Sequence, residues 1–201
     1  MAQVKKEAVR QAILDAAYRL FQRRSYVATK LQDIAAAAKV SRANIYVYFR
    51  SKFDLLYAVF QPWMASRLDA LEATLTRIVD PRERLARVFT ALWRDIPGDG
   101  HGFANNLIQA VSTATRREGY SPKLLQDSIA RVAAMIDGCL TPAERRSVDS
   151  QALAHVVFMA FDGFSMHAHL WTGQPCGDDV IDTVCGLLFP ARGARRRARV
   201  A

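Results

Sequence analysis

The sequence has few cysteines and no long apolar run. Its 201 residues include only three cysteines, an odd number without a C-x-x-C pair, so neither a disulfide framework nor a zinc site is expected. No segment approaches the roughly 18 uninterrupted apolar residues that a membrane-spanning helix needs. The N-terminus also lacks the apolar core of a signal peptide. We therefore expect a globular cytoplasmic protein with reduced cysteines and no membrane partner.

Catalytic signatures are missing as well. No nucleophile–base–orienter set, paired carboxylates, phosphate loop or cofactor fingerprint appears. His167 and His169 are two residues apart and do not share a helix face, and His155 lies well before them in the chain. We therefore expect no enzymatic activity, no cofactor and no metal.

Positive charge is present in excess and is unevenly distributed. The net charge is +9, and residues 1–52 carry eleven lysines and arginines against three acidic residues. Residues 53–189 carry twelve against sixteen, and residues 190–201 add five arginines and no acid. A basic head on a mildly acidic body indicates a module that binds a polyanion, attached to a second unit.

Helix signals dominate the chain, and strand signals are nearly absent. Apolar residues recur three and four positions apart, as in Val9–Leu20 and Leu56–Ile78. Capping-box pairs, such as Thr29 with Gln32 and Ser51 with Asp54, mark helix starts. The pattern predicts an all-α fold of about nine helices, in which one long helix over about 52–78 joins head to body.

Residues 29–52 are typical of a helix-turn-helix. In 31-LQDIAAAA-38 the apolar residues form one face, with Ala35 small where two helices cross closely. Lys39-Val40-Ser41 makes the tight turn, and Ser41 is expected to cap the next helix. The predicted domains are a DNA-binding head over 1–52, a helical ligand-binding and dimerisation body over 53–190, and a basic disordered tail over 191–201.

The second helix of this motif has an outward face that suits a DNA major groove. At about 100° per residue, Ile45 and Phe49 point together towards the core. Ala43, Asn44 and Val47 lie on the opposite side. Asparagine can pair with adenine, and alanine or valine can contact a thymine methyl group.

The flanks of that face carry groups that suit phosphate oxygens. Tyr46 and Tyr48 lie on its two sides, where their hydroxyls can donate to phosphates. Arg42, Arg50 and Lys52 add positive charge, and Lys52 lies at a helix N-terminus, which itself favours phosphate.

The stretch 29-TKLQDIAAAAKVSRANIYVYFRSKFDLLYAVF-60 resembles the DNA-binding head of the TetR (tetracycline-repressor) family of bacterial transcription regulators. The matching elements are the D-I-A core, the V-S turn, the I-Y-x-Y-F recognition helix and S-K-x-D-L-L. The resemblance implies an all-helical homodimer that binds a palindromic operator in double-stranded DNA, usually as a repressor that a small molecule releases. The family's DNA contacts, carried to matching positions, are Thr29, Lys30, Arg42, Ala43, Asn44, Tyr46, Tyr48 and Lys52.

Lys39 departs from the family pattern, which usually has glycine at this place in the turn. If the backbone is left-handed there, a lysine costs roughly 1–2 kcal/mol, although its ammonium group can reach a phosphate in return. The residues predicted to bind DNA are thus the eight carried over from the family together with Lys39, Ser41 and Val47.

Residues 150–172 carry two apolar stripes, so a helix there must be buried on two sides. One side can pack on its own core and the other on a twofold partner, and a second helix over 179–189 is a further candidate. The resemblance likewise places the last two long helices in a dimer bundle, whereas a monomer with a thick core remains the alternative. The predicted interface residues are Val156, Met159, Gly163, Met166, Leu170, Val180, Val184, Leu187 and Leu188.

A ligand pocket is indicated only by aromatic residues with one polar group among them, as such sites usually have. Aromatic residues at helical spacing more often belong to plain core packing. An effector packed around Trp63 and Trp93 is expected to move the long helix. The predicted pocket residues are Trp63, Phe89, Trp93, Phe103, Asn106, Met135 and Phe161.

Three functions fit these patterns. The leading hypothesis is a dimeric repressor that binds a palindromic operator and is released by a small, largely apolar effector. In the second, the body docks a partner protein instead of a small molecule. In the third, the protein is a non-specific architectural DNA binder whose basic tail supplies the affinity.

Overall fold

The computed structural model describes residues 2–115, 118, 120–170 and 176–188, with only the backbone of residues 2 and 3. All regular elements in these ranges are helical, which confirms the predicted fold class. The π-helical turn Ala91–Asp95 joins the helix Pro81–Thr90 to the single turn Ile96–Gly98 without a break, and with these two labelled helices counted as one the described ranges hold nine α-helices. The helices are α1 (Ala2–Ala28), α2 (Leu31–Ala37), α3 (Arg42–Tyr48), α4 (Lys52–Leu75), α5 (Pro81–Thr90), α6 (Ile96–Gly98), α7 (Asn105–Thr113), α8 (Lys123–Asp137), α9 (Ser150–Leu170) and α10 (Asp178–Leu188).

Helix starts follow the predicted caps at some positions and not at others. The Ser51 hydroxyl accepts a hydrogen bond from the Asp54 backbone N–H, at 3.0 Å, and thereby begins α4. The prediction that Thr29 caps α2 is wrong, because α2 begins at Leu31 and Lys30 precedes it without a side-chain cap.

The head consists of α1, α2 and α3, packed around fully buried apolar side chains that include Ile13, Ile34 and Ile45. The long α4 begins beneath the head and continues into the body, where Leu68, Leu71 and the rest of its apolar stripe are buried. Head and body therefore share the core that forms along α4.

The body packs α4, α5 and α7 to α10 around a second stretch of the same core. Helix α7 lies between head and body, because it contacts α1 as well as α4 and α9. None of the described helices is long and apolar enough to cross a membrane. The predicted basic tail, 191–201, lies outside the described residues.

Candidate DNA-binding surface and effector cavity

Helix α3 is held in a single orientation by one buried face and one cap. Ile45 is fully buried, and Phe49, the residue after the helix, is nearly so. The Ser41 hydroxyl accepts a hydrogen bond from the backbone N–H of Asn44 at 3.1 Å, which confirms the predicted N-cap. The guanidinium of Arg10, on α1, lies 5.7 Å from the centre of the Phe49 ring. The opposite face of α3 therefore points away from the core.

That outward face holds the predicted base-reading side chains. Ala43, Asn44 and Val47 are all exposed, Val47 by 64%. The apolar and amide groups required to contact base edges thus lie together on one accessible surface.

On one flank of α3 the side chains of Arg42 and Tyr46 contact each other. Arg42 donates a hydrogen bond to the Tyr46 hydroxyl at 3.3 Å, and its guanidinium lies 5.8 Å from the centre of the tyrosine ring. Tyr46 is 48% exposed, whereas Tyr48 on the other flank is half-buried. Lys30 and Ser41 are exposed as well, so polar groups surround the apolar face.

The turn between α2 and α3 places Lys39 in a left-handed backbone conformation, which is costly for any residue other than glycine. Lys39 has φ 56°, in the left-handed region, as expected where the family has glycine. The backbone N–H of Val40 donates to the Ala35 carbonyl at 3.0 Å, which closes the turn. The strain, roughly 1–2 kcal/mol, is retained because the turn fixes α3 relative to α2. The Lys39 side chain is exposed.

Two residues predicted to contact DNA also hold the head together from inside. Thr29 is fully buried, and its hydroxyl lies 2.7 Å from the Ser25 carbonyl oxygen. The half-buried Lys52 donates from its ammonium group to the carbonyls of Tyr26 and Thr29 at 2.9 and 3.1 Å, and burial lowers its pKa. Both residues also line a surface pocket with Lys30 and Arg42, and their contact with DNA stays a prediction.

An apolar cavity of about 330 Å³ lies in the body, between α4, α7, α8 and α9. Five aromatic rings line it, and two serine hydroxyls and one carboxylate interrupt the apolar wall. Its lining residues are Tyr57, Phe60, Met64, Leu107, Ile108, Val111, Ser112, Tyr120, Leu124, Leu125, Ser128, Phe158, Phe161 and Asp162.

The predicted pocket residues lie mostly elsewhere, and only Phe161 lines this cavity. Trp93 stacks on Phe89 with 4.7 Å between the ring centres and donates its indole N–H to the Val157 carbonyl. Its place is in the core beside α9. The other predicted pocket residues, which are also buried, are Trp63, Phe103, Asn106 and Met135.

The polar groups of the cavity carry perturbed pKa values. Burial raises the pKa of the Asp162 carboxyl to about 6. Burial is also the main reason that the pKa of Tyr57 is raised to about 12, with a further contribution from Tyr120. The Tyr57 hydroxyl donates to the Ser121 carbonyl at 3.2 Å, and its ring meets that of Tyr120 edge-on at 6.3 Å.

Comparison with known proteins identifies the family. The model of the bacterial regulatory proteins of the tetR family matches residues 13–59. The HTH-type transcriptional repressor Rv3405c of Mycobacterium tuberculosis is 31% identical over 199 residues, which cover 92% of this chain and 92% of that protein. The chain belongs to the TetR family. It is a DNA-binding transcriptional regulator and not an enzyme.

Solved structures share the TetR-family fold over nearly the whole chain. FadR from Bacillus subtilis, in complex with stearoyl-CoA, is 20% identical with a TM-score of 0.59, covering 90% of this chain and 97% of that one. AibR, in complex with isovaleryl coenzyme A and operator DNA, is 22% identical with a TM-score of 0.54 and the same coverage. At these identities the likeness shows the fold alone.

In this TetR-family protein the predicted interface residues of α9 and α10 form an accessible apolar surface. Leu170 is 81% exposed and Leu187 is 76% exposed, and Val156, Met159, Met166 and Val180 are exposed as well. Gly163 is exposed, and an added Cβ there would meet no atom within 4 Å. Val184 and Leu188 are half-buried. The surface has no partner within the described chain.

One connection between head and body was not visible in the sequence. The Gln109 side-chain oxygen on α7 accepts a hydrogen bond from the backbone N–H of Val27 at 3.2 Å. Two residues earlier, Ser25 interrupts α1 with φ 70° and ψ 166°, a conformation that is essentially restricted to glycine. No local pattern marks either residue, since both depend on how α1 and α7 meet.

Proposed function

We propose that the protein is a homodimeric repressor that binds a palindromic operator and releases it when a small, largely apolar effector occupies the cavity. The observation that carries this proposal is the placement of α7. Its residues Leu107, Ile108 and Val111 line the cavity, and its Gln109 holds the end of α1 in the head. A ligand that displaces α7 therefore displaces the DNA-binding head.

Base reading is assigned to the outward face of α3. Asn44 pairs with an adenine edge, and Ala43 and Val47 contact thymine methyl groups. Phosphate contacts come from the surrounding exposed groups, which position the protein without reading sequence. These are Lys30, Lys39, Ser41, Arg42, Tyr46 and Tyr48.

Dimerisation supplies the second reading head. The exposed surface of α9 and α10 is apolar enough to need a cover, and a second copy of the chain would cover it symmetrically. The two half-sites of a palindromic operator lie about one turn of the DNA helix apart, so the two α3 helices of the dimer must be separated by the same distance. The predicted interface residues of the two helices supply this surface.

Release would be a shift between two head arrangements. The effector favours the arrangement in which the heads no longer match the operator, and it lowers operator affinity by its differential affinity for the two states. The structures of FadR and AibR contain stearoyl-CoA and isovaleryl coenzyme A, respectively. Acyl-CoAs are for that reason the first effector class to screen.

The test of the proposal is in-vitro selection of bound DNA from a random pool at near-physiological salt. Enrichment of a palindrome, with half-sites about one turn apart, supports a sequence-reading dimer and supplies a probe for effector screening. The double variant Asn44→Ala with Tyr46→Ala must lose this preference. Gln61→Ala, an exposed polar change on α4, is the matched control.

The same selection separates the other hypotheses. An architectural binder would enrich no sequence and would show an affinity that depends steeply on salt. A protein whose body docks another protein would bind the operator normally, and no small molecule would alter that binding.

A further inference from the structure

Asp162 is the only charged side chain among the described residues that line the cavity. None of the described residues that form the wall is a lysine, arginine or histidine. Within the described chain the carboxylate has no ion-pair partner, although the body contains many arginine–carboxylate pairs. An ionised carboxylate in apolar surroundings is costly unless it is paired. Because Asp162 lines the cavity, a cationic ligand there could pair with its carboxylate.

The aromatic rings of the cavity add to the attraction for a cation. Phe158 lies four residues before Asp162 on α9, so both side chains fall on the same helix face. Phe60, Tyr57 and Tyr120 line other parts of the wall. The face of an aromatic ring attracts an ammonium group, more strongly where water is excluded. A carboxylate and several rings in one cavity thus favour the same kind of ligand head group.

We propose that the effector is an apolar amine, either a protonated primary amine or a quaternary ammonium, whose nitrogen pairs with Asp162 while its body fills the apolar part. This deepens the proposed function and rests on it, since it concerns the same cavity. The raised pKa of the carboxyl, about 6, still leaves it mainly ionised at pH 7.5. Among the described lining residues, fatty acids and other carboxylates meet a like charge and no cation.

An acyl-CoA makes a different demand on the cavity. Its acyl chain is neutral and would use the apolar wall, whereas Asp162 would have no role in binding it. The charge of the ligand head group is therefore the variable that separates the two classes.

Three probes with the same apolar body test the proposal: 4-phenylbutylamine, 4-phenylbutan-1-ol and 4-phenylbutyrate. Calorimetric titration of the full-length protein at pH 7.5 should show the amine binding at least about tenfold more tightly than the alcohol, as expected for a charge-assisted hydrogen bond. The carboxylate should bind most weakly. Asp162→Asn should remove the advantage of the amine and leave the affinity for the alcohol unchanged.

The matched control is Asp127→Asn, which removes the same charge from an exposed position on α8 and should keep the preference for the amine. Equal affinity of amine and alcohol in the unaltered protein would overturn the proposal. So would an amine preference that persists in Asp162→Asn.

Failure of the amine proposal is distinguishable from failure of the proposed function. If octanoyl-CoA lowers operator affinity and the amine does not bind, only the amine class is wrong. Two cavity-filling variants, Ser128→Trp and Leu124→Trp, should weaken every ligand that uses the cavity. The effector function itself fails if two results coincide. None of the three probes and no octanoyl-CoA binds, and the cavity-filling variants that fold have unchanged operator affinity.

Discussion

The backbone N–H of Val27 donates to the side-chain oxygen of Gln109 across 3.2 Å, and the two residues are 82 positions apart in the chain. This hydrogen bond ties the last turn of α1 to α7. It lies two residues after the strained Ser25. The contact is one of the links between the head and the helix that lines the cavity.

Replacing Gln109 with alanine should loosen this connection. One hydrogen bond contributes about 1 kcal/mol to the folded arrangement of α1 and α7, so operator affinity should fall by up to about fivefold and the melting temperature by about 2–4 °C. Amide hydrogen exchange of the segment 25–29 should accelerate. Gln126→Ala, an exposed change on α8, should alter neither quantity. Unchanged exchange in Gln109→Ala would show that the contact does not restrain the head.

Lys39→Gly should stabilise the protein. Glycine removes the left-handed strain at φ 56° but gains freedom in the unfolded chain, so the net increase in the free energy of unfolding is about 0.5–1 kcal/mol. Urea unfolding at fixed protein concentration measures it. Lys39→Ala, which keeps the Cβ, should show no such gain.

The same two variants test a phosphate contact by Lys39. Both remove the ammonium group, so both should weaken operator binding by a similar factor and reduce the salt slope by about one. A normal salt slope in both variants would remove Lys39 from the DNA contacts.

Asp162→Asn should raise stability at neutral pH and not at pH 4. The folded-state pKa is raised from 3.8 to about 6, so between these values the folded protein binds more protons than the unfolded chain. Stability contributed by the protonated carboxyl is therefore lost as pH rises through 6. Removing the charge should gain about 1–2 kcal/mol at pH 7.5, after allowance for partial exposure.

Denaturant unfolding at both pH values checks this prediction. Asp127→Asn is the control, because its exposed i, i+4 pair with Lys123 contributes only a few tenths of a kcal/mol. A gain at pH 4 equal to that at pH 7.5 would mean that desolvation of the charge is not the cause.

Met159→Glu should prevent dimerisation. It places a charge within the exposed apolar surface of α9, which two copies would otherwise desolvate. Light scattering should give the mass of a monomer, and operator binding should be lost with the second head. Gln126→Glu, the same charge on α8, should remain dimeric. A dimeric Met159→Glu would place the interface on another face.

The head was largely predictable because its signals are local. Ile45 and Phe49 lie at helical spacing, Ser41 precedes the helix that it caps, and Lys39 occupies a turn position that is usually glycine. Each of these depends on neighbours within a few residues. The orientation of α3 and its exposed face followed from them.

The lining of the cavity could not be predicted from the sequence, because it depends on where the packed helices leave space between them. Trp93 and Phe89 stack tightly at 4.7 Å and fill the core, although large aromatics were the natural candidates for a pocket. Thr29 and Lys52 match the family's DNA contacts in sequence, yet their polar atoms meet backbone carbonyls from α1 and the turn that follows it. The carbonyl partners of Lys52 lie 26 and 23 positions away in the chain, beyond the reach of a local pattern.

In the proposed mechanism α7 links the cavity to the head, and linkage requires that the coupling of effector and operator is reciprocal. An effector that weakens operator affinity by a given factor is itself bound more weakly, by the same factor, when the protein is on DNA. Operator-bound molecules therefore respond at higher effector concentrations than free ones. The number of operators in a cell, relative to the number of repressor molecules, then becomes part of the sensitivity of the switch.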